Sequence, residues 1–363
     1  MEYNKVTPGE LGIPESISLP KRKDWRIGIV GFGGIARGAH VPAYSEVGWS
    51  VVAIADPDPN AQKEANDKYG IKKAYTDYRD LIADDEVEVI DLCTQPTIRE
   101  EVVLTAANAK KHLITEKPFG TTIEECQRMV EAAERADIKL AVHQNYRWMR
   151  MNYLAHHIIE QSLIGDPFYA SIEIFGSQDV DLAKHPFYSR CEDFLTIQWN
   201  NHLADLLRYW TGMDAVRVFA RTGRMMGQNF VSDNLIVIIA DFGKGLTGHI
   251  MHTELLRSSL GGVECRIDGS KGSITFDFNG DLTLDSNVLK KGPCKLDLSG
   301  LNFVSSHAGS MADFLIAIEE NKEPSVSGNR NLATIRTVIA EDTSARLSGR
   351  WVLCSSNATE TGK

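Results

Sequence analysis

Two rhythms divide this chain. From Arg26 to about Trp148, short apolar runs alternate with longer stretches of helical character. The runs at 26–30, 51–55, 73–76, 87–93, 113–115 and 139–143 read as strands. Helices are expected near 60–69, 77–83, 97–110 and 122–136, the last opening on a capping box, Thr121-Thr122 with Glu125. Six strands separated by helices predict a doubly wound parallel sheet with helices on both faces. After one more helix at 152–163 the signals become strand-like, at 169–175, 215–221, 234–242, 246–253, 262–268 and 273–278. Glycine turns at 241–245 and 268–272 punctuate them, which predicts a mostly antiparallel sheet. Two late helices, 310–320 and 332–348, and a short strand at 351–354 complete the pattern. Residues 1–24, with Pro8, Pro14 and Pro20, read as an irregular extended arm. The expected division is an arm (1–24), a first α/β domain (25–148) and a second α/β domain (149–363) for substrate binding and oligomerisation.

The first strand runs into Gly31-Phe32-Gly33-Gly34-Ile35-Ala36. Gly31, Gly33 and Ala36 match the G-x-G-x-x-G/A fingerprint of a Rossmann dinucleotide-binding domain. Gly31 permits the sharp turn, Gly33 lets the backbone approach a pyrophosphate, and Ala36 allows close helix packing. The amides from Phe32 to Ile35 open the helix and suit phosphate oxygens. The second strand ends at Asp56, where an acid accepts from ribose hydroxyls and repels a 2′-phosphate. NAD is therefore expected rather than NADP, although Arg37 and Lys63 lie nearby in sequence. Ligands of such sheets sit at the carboxyl ends of the strands. That rule selects Asp56, Cys93 to Pro96, Glu116 to Pro118, and the run from His143 to Trp148, which includes Asn145-Tyr146-Arg147-Trp148.

Composition removes other classes. A formal charge of −10 without a basic stripe argues against nucleic acid. No apolar run approaches the ~18 residues of a membrane span, and residues 1–24 lack the core of a secretory signal. Six scattered cysteines without a C-x-x-C suggest neither disulfide framework nor zinc site, which fits a reducing cytoplasm. No metal is expected; the adjacent His156 and His157 would point apart on a helix.

Two constellations carry candidate chemistry. In Glu116-Lys117-Pro118 the proline keeps Lys117 out of the helical region, at the sheet's carboxyl edge. A desolvated lysine there has a lowered pKa and can polarise or deprotonate a substrate hydroxyl. The second is Gln198 to Trp210. Read as one helix, it buries Leu203, Leu206, Leu207 and Trp210 and lines up Gln198, His202, Asp205 and Tyr209 on another face. Tyr146 is a further acid/base candidate. Arg147, Trp148, His185 and Trp199 are candidates for holding a substrate, with Tyr188 beside His185 in the same loop.

The series Gly31-x-Gly33-x-x-Ala36, Glu116-Lys117-Pro118, Tyr146-Arg147 and His202-x-x-Asp205 resembles the Gfo/Idh/MocA oxidoreductases, which include glucose–fructose oxidoreductase and inositol dehydrogenase. The resemblance covers residues 25–354. It implies an NAD(P)-binding Rossmann domain, a C-terminal α/β domain on a large open sheet, and homodimers or homotetramers formed through that sheet. It implies sugar, polyol or sugar-derivative substrates. It makes Lys117 the catalytic lysine, His202 the active-site histidine, Asp205 an orienting acid, and Glu116 a neighbour of the nicotinamide ribose. Thr94, Gln95 and Asn145 are expected at the cofactor, and Lys117, Gln198 and His202 at the substrate.

Two departures bear on the reaction. Gln198 stands where many relatives have aspartate, and an amide cannot take a proton. Thr94-Gln95-Pro96-Thr97-Ile98-Arg99 replaces the usual Thr-Pro-Asn-x-x-His. The leading expectation is NAD-dependent oxidation of a secondary hydroxyl. The alternatives are redox-neutral glycoside cleavage through transient oxidation and elimination, and a non-catalytic nucleotide sensor on the same fold.

Overall fold

The computed structural model describes residues 3–355 except positions 186, 279, 291 and 302. The chain forms two compact units. One holds residues 17–148 and 304–335; the other holds the N-terminal residues to Ser16, 149–303, and the chain from Arg336 onward.

In the first unit six strands lie side by side in the order Lys73–Tyr75, Ser50–Ala55, Arg26–Val30, Val89–Leu92, His112–Thr115 and Leu140–Val142. All five pairings are parallel. Chain order reverses between Arg26–Val30 and Val89–Leu92, and such a switch point is where doubly wound sheets bind ligands. Packing explains Gly28. A Cβ there would stand 2.7 Å from a Val87 methyl and 2.9 Å from a Leu81 methyl. Helices fall where expected, at Pro59–Tyr69, Tyr78–Ala83, Arg99–Asn108 and Ile123–Ala136. In the capping box Thr122 Oγ1 accepts from Glu125 N, and Glu125 accepts in return from Thr121 N. The helix after the fingerprint carries a π segment, Ala36–His40, before Val41–Glu46.

The expected break at 148/149 is not clean. Residues 304–335, with the helix Ser306–Glu319, pack with the parallel sheet. Val142 N donates to Val326 O, and Trp148 lies so close over Gly309 that a Cβ there would meet its ring at 2.5 Å.

The second unit is built on ten strands in the order Asn4–Val6, Cys294–Leu296, Leu282–Ser286, Gly272–Phe276, Gly262–Gly269, Pro167–Phe175, Thr247–Thr253, Leu235–Asp241, Arg217–Gly223 and Val352–Leu353. Two pairings are parallel and the others antiparallel. This corrects the reading of residues 1–24 as an irregular arm: Asn4–Val6 is the edge strand, in register with Cys294–Leu296. Leu282–Ser286 and Cys294–Leu296 were likewise not expected. Along Pro167–Phe175, Ala170, Ile172 and Ile174 are buried, while Tyr169, Glu173 and Phe175 line the opposite, open face.

Candidate active site

The fingerprint turn is tied to the end of the second strand. Asp56 Oδ2 accepts from Phe32 N at 2.7 Å, and Oδ1 accepts from Asp58 N at 2.9 Å. The Phe32 ring is fully buried against Tyr69, so the turn offers its backbone rather than that side chain. Gly31 has φ +87°, and a Cβ would strike Cys93 O at 2.9 Å. The residues fit a dinucleotide. A Cβ on Gly33 or Gly34 would meet nothing within 4 Å, and Thr94 Oγ1 is buried with no hydrogen-bond partner among the described residues. Ile35 and Gln95 are exposed. Both cations that compete for a 2′-phosphate are engaged: Arg37 pairs with Glu64 and donates to Gly33 O, while Lys63 pairs with Asp67.

Glu116-Lys117-Pro118 follows the fifth strand, with a cis Lys117–Pro118 peptide. Its carbonyls are clamped by Arg99. The buried guanidinium donates to Glu116 O at 2.6 Å, to Pro118 O and to Lys117 O, and anchors itself on Thr94 O. Burial lowers the Arg99 pKa to about 10 and also lowers that of Lys117, against the raising effect of Glu116. Lys117 as a whole keeps part of its surface exposed.

Beneath this turn lies a cluster that joins Cys93, Glu116 and His143, all selected at strand ends, to His40 and Asp91, which the sequence reading did not single out. His40 Nδ1 is 2.7 Å from Asp91 Oδ2 and His40 Nε2 is 2.9 Å from Glu116 Oε1. Asp91 also accepts from Tyr44 OH at 2.7 Å and contacts His143 Nε2 at 3.1 Å, and His143 Nδ1 meets Ser310 Oγ at 3.2 Å. The Cys93 thiol stands 3.5 Å from both His40 and Asp91, and the His307 ring packs on His40 at 4.7 Å. Burial, with the His40 charge, lowers the His307 pKa to about 3.

The run after the sixth strand is taken up largely in packing. Asn145 donates to Ser306 Oγ, the buried Arg147 donates to Ser325 O, and Trp148 covers Gly309. Arg147 and Trp148, expected at a substrate, are both buried within their unit. Tyr146 is half-buried.

In the other unit, Phe194–Trp199 is a π-helix leading into the α-helix Asn200–Thr211. Gln198 N reaches back five residues to Asp193 O. The expected single face of Gln198, His202, Asp205 and Tyr209 is therefore broken: Gln198 belongs to the wider turn, and Tyr209 stacks on His156 at 4.0 Å. Gln198 and His202 are both buried, and Asp205 faces the Arg208 guanidinium at 3.6 Å. The Trp199 ring lies 5.5 Å from that of His252. His252 Nε2 is held by Glu254 at 3.0 Å, while His252 Nδ1 and Trp199 Nε1 are buried without partners among the described residues. His185 is exposed and caps its own loop, accepting from Phe187 N, with its ring on Tyr188. His156 and His157, expected to point apart, approach to 5.2 Å between centroids; His157 pairs with Glu160.

A model of the oxidoreductase family with an NAD-binding Rossmann fold, Gfo/Idh/MocA, matches residues 25–144, and the Gfo/Idh/MocA C-terminal domain matches residues 154–275. The chain is a Gfo/Idh/MocA oxidoreductase. Its family cofactor is NAD, held by the Rossmann fold. This oxidoreductase is 26% identical to D-apiose dehydrogenase of Paraburkholderia graminis, over 91% of this chain and 90% of that protein. It is 27% identical to myo-inositol 2-dehydrogenase of Thermotoga maritima, over 84% and 90%. In fold it superposes on an Agrobacterium radiobacter oxidoreductase solved with NAD+, L-tartaric acid and magnesium, with TM-score 0.83 and 24% identity over 91% of this chain and 98% of the other. A levoglucosan dehydrogenase complex with NADH and levoglucosan gives 0.80 and 22%, over 91% and 99%. No helix among the described residues is long and apolar enough to cross a membrane.

Proposed function

We propose that this oxidoreductase oxidises a secondary hydroxyl of a sugar, polyol or sugar derivative with NAD. The observation that carries the reading is the clamped Lys117 turn: a desolvated lysine at the carboxyl edge of a strand beside the switch point, in a fold whose cofactor takes hydride. When bound, NAD accepts the hydride. Asp56 would take the ribose hydroxyls, Glu116 would lie by the nicotinamide ribose, and the amides from Gly33 to Ile35, with Thr94, Gln95 and Asn145, would line the cofactor, while the Phe32 amide holds Asp56. Lys117 or His202 would remove the hydroxyl proton, and Gln198 would orient the substrate by hydrogen bonding. Tyr146 remains a further acid/base candidate. Trp199 would stack on the substrate ring. His185 would contact substrate from its loop. Curated relatives named as apiose and inositol dehydrogenases support the substrate class.

The test is absorbance at the NADH band across sugars, acid sugars and glycosides, with NAD and NADP separately. Stoichiometric NADH with NAD supports the reading. Gln198 favours one second reading, redox-neutral glycoside cleavage, which releases product without accumulating NADH. Ligand titration without turnover on any compound would favour a nucleotide sensor. We also propose a homodimer or homotetramer through the open face of the ten-stranded sheet, where Tyr169, Glu173, Phe175 and Arg266 line a concavity of about 650 Å³, and a reducing cytoplasm as the setting for six cysteines that form no disulfide.

A further inference from the structure

We propose that His40 is a positioning residue for this reaction: bridging Asp91 and Glu116, it fixes the carboxylate that in turn holds the Lys117 turn. The proposal rests on the oxidoreductase reading above.

The path is continuous and lies within one unit. Asp91 is anchored by Tyr44 and His143, and His143 by Ser310. Asp91 and Glu116 take the two nitrogens of His40. The second Glu116 oxygen accepts from Lys117 N at 3.1 Å. An imidazole with a carboxylate on each nitrogen donates at both, and so is an imidazolium. Burial by itself disfavours that charge, but Asp91, with Cys93 beside it, raises the His40 pKa well above the ordinary value. Burial likewise disfavours ionised Glu116, and the His40 hydrogen bond and charge outweigh it. Facing groups from the neighbouring elements are Tyr44, Cys93, His143 and His307, and the last stays neutral under the His40 charge.

Stability alone is a poor reason for this arrangement. Buried ion pairs are often matched or bettered by apolar residues of similar volume. What apolar packing cannot do is keep Glu116 charged and in one rotamer. Glu116 is also the group whose charge opposes the lowering of the Lys117 pKa by burial. A fixed anion at this point therefore sets both the place of the lysine and its proton affinity.

The test compares two amides. Glutamine can place its nitrogen near the position of His40 Nε2 and keep the Glu116 bond, whereas asparagine can keep only the Asp91 bond. In His40→Asn, kcat on whichever sugar is oxidised should fall about tenfold, with KM for the sugar little changed. NADH affinity, read from nicotinamide fluorescence, should fall by about fivefold in the same variant. His40→Gln should recover most of both, although the two variants melt at similar temperatures. In a Glu116→Gln background, His40→Asn should add less than about threefold. Equal losses in the two amides that track their melting temperatures, or full additivity with Glu116→Gln, would overturn the proposal. If no sugar turns over in the wild type, the oxidoreductase reading fails separately, and the order of NADH affinities still decides the role of His40.

Discussion

The parallel sheet is apolar along its strands and polar at one end; the ten-stranded sheet is apolar on one face and open across the other. In the first, Val89, Ile90 and Leu92 are fully buried, and polar side chains gather where the strands finish, at Asp56, Asp91, Glu116 and His143. In the second, Ile172, Ile238, Ile250 and Ile274 are fully buried, while Glu173, Ile239, His249 and Arg266 line the other side. A sheet covered on both faces has only its ends left for chemistry. A sheet covered on one face has a broad surface left for contact.

The largest effect should come from the strand end. Lys117→Ala should lower kcat about a thousandfold and leave the melting temperature and NADH affinity near wild type; unchanged turnover would remove the lysine from the mechanism. Burial lowers the Lys117 pKa, so wild-type kcat/KM for oxidation should rise with pH through a limb centred below the ordinary lysine value, and the variant should lose that limb. Next is the sheet interior. Gly28→Val should destabilise by about 2–3 kcal/mol in denaturant titration, because Val87 and Leu81 leave no room for its methyls.

The His40 charge should show in stability. Its folded pKa is raised, so its contribution is fully present below about pH 6.5 and is lost as pH rises through the folded value. Wild-type melting temperature should decline over that range, and His40→Gln should lack the decline. Asp56→Ser should cost about tenfold in preference for NAD over NADP in paired kcat/KM values. On the open face, Glu173→Ala should change unfolding free energy by less than about 0.5 kcal/mol, yet shift the oligomer distribution in light scattering. A stability loss there as large as at Gly28 would end the contrast between the sheets.

Much of this was legible in the chain. The fingerprint, the Asp56 strand end and the Lys117 turn follow from local patterns, since each joins residues close in sequence. The His40–Asp91–Glu116 bridge joins residues 51 and 76 positions apart. The strand-end rule had placed Glu116, and Asp91 is an acid inside an otherwise apolar strand, but His40 carried no local sign. Arg99 acts on backbone carbonyls, which leave no trace in side-chain pattern, so its arginine read only as a missing histidine. The π-turn before Asn200 has no compositional rule, and it is what displaced Gln198 from the face assigned to it. The packing of Arg147 on Ser325 and of Trp148 on Gly309 was not legible, because those partners arrive from more than 150 residues downstream.

That late return of the chain has a consequence for biosynthesis. Residues 304–335 supply Ser310 to His143, His307 to the ring stack and Val326 to the edge of the parallel sheet. The nascent Rossmann half therefore leaves the ribosome with its charged cluster open on one side and waits through more than 150 further residues for the segment that closes it.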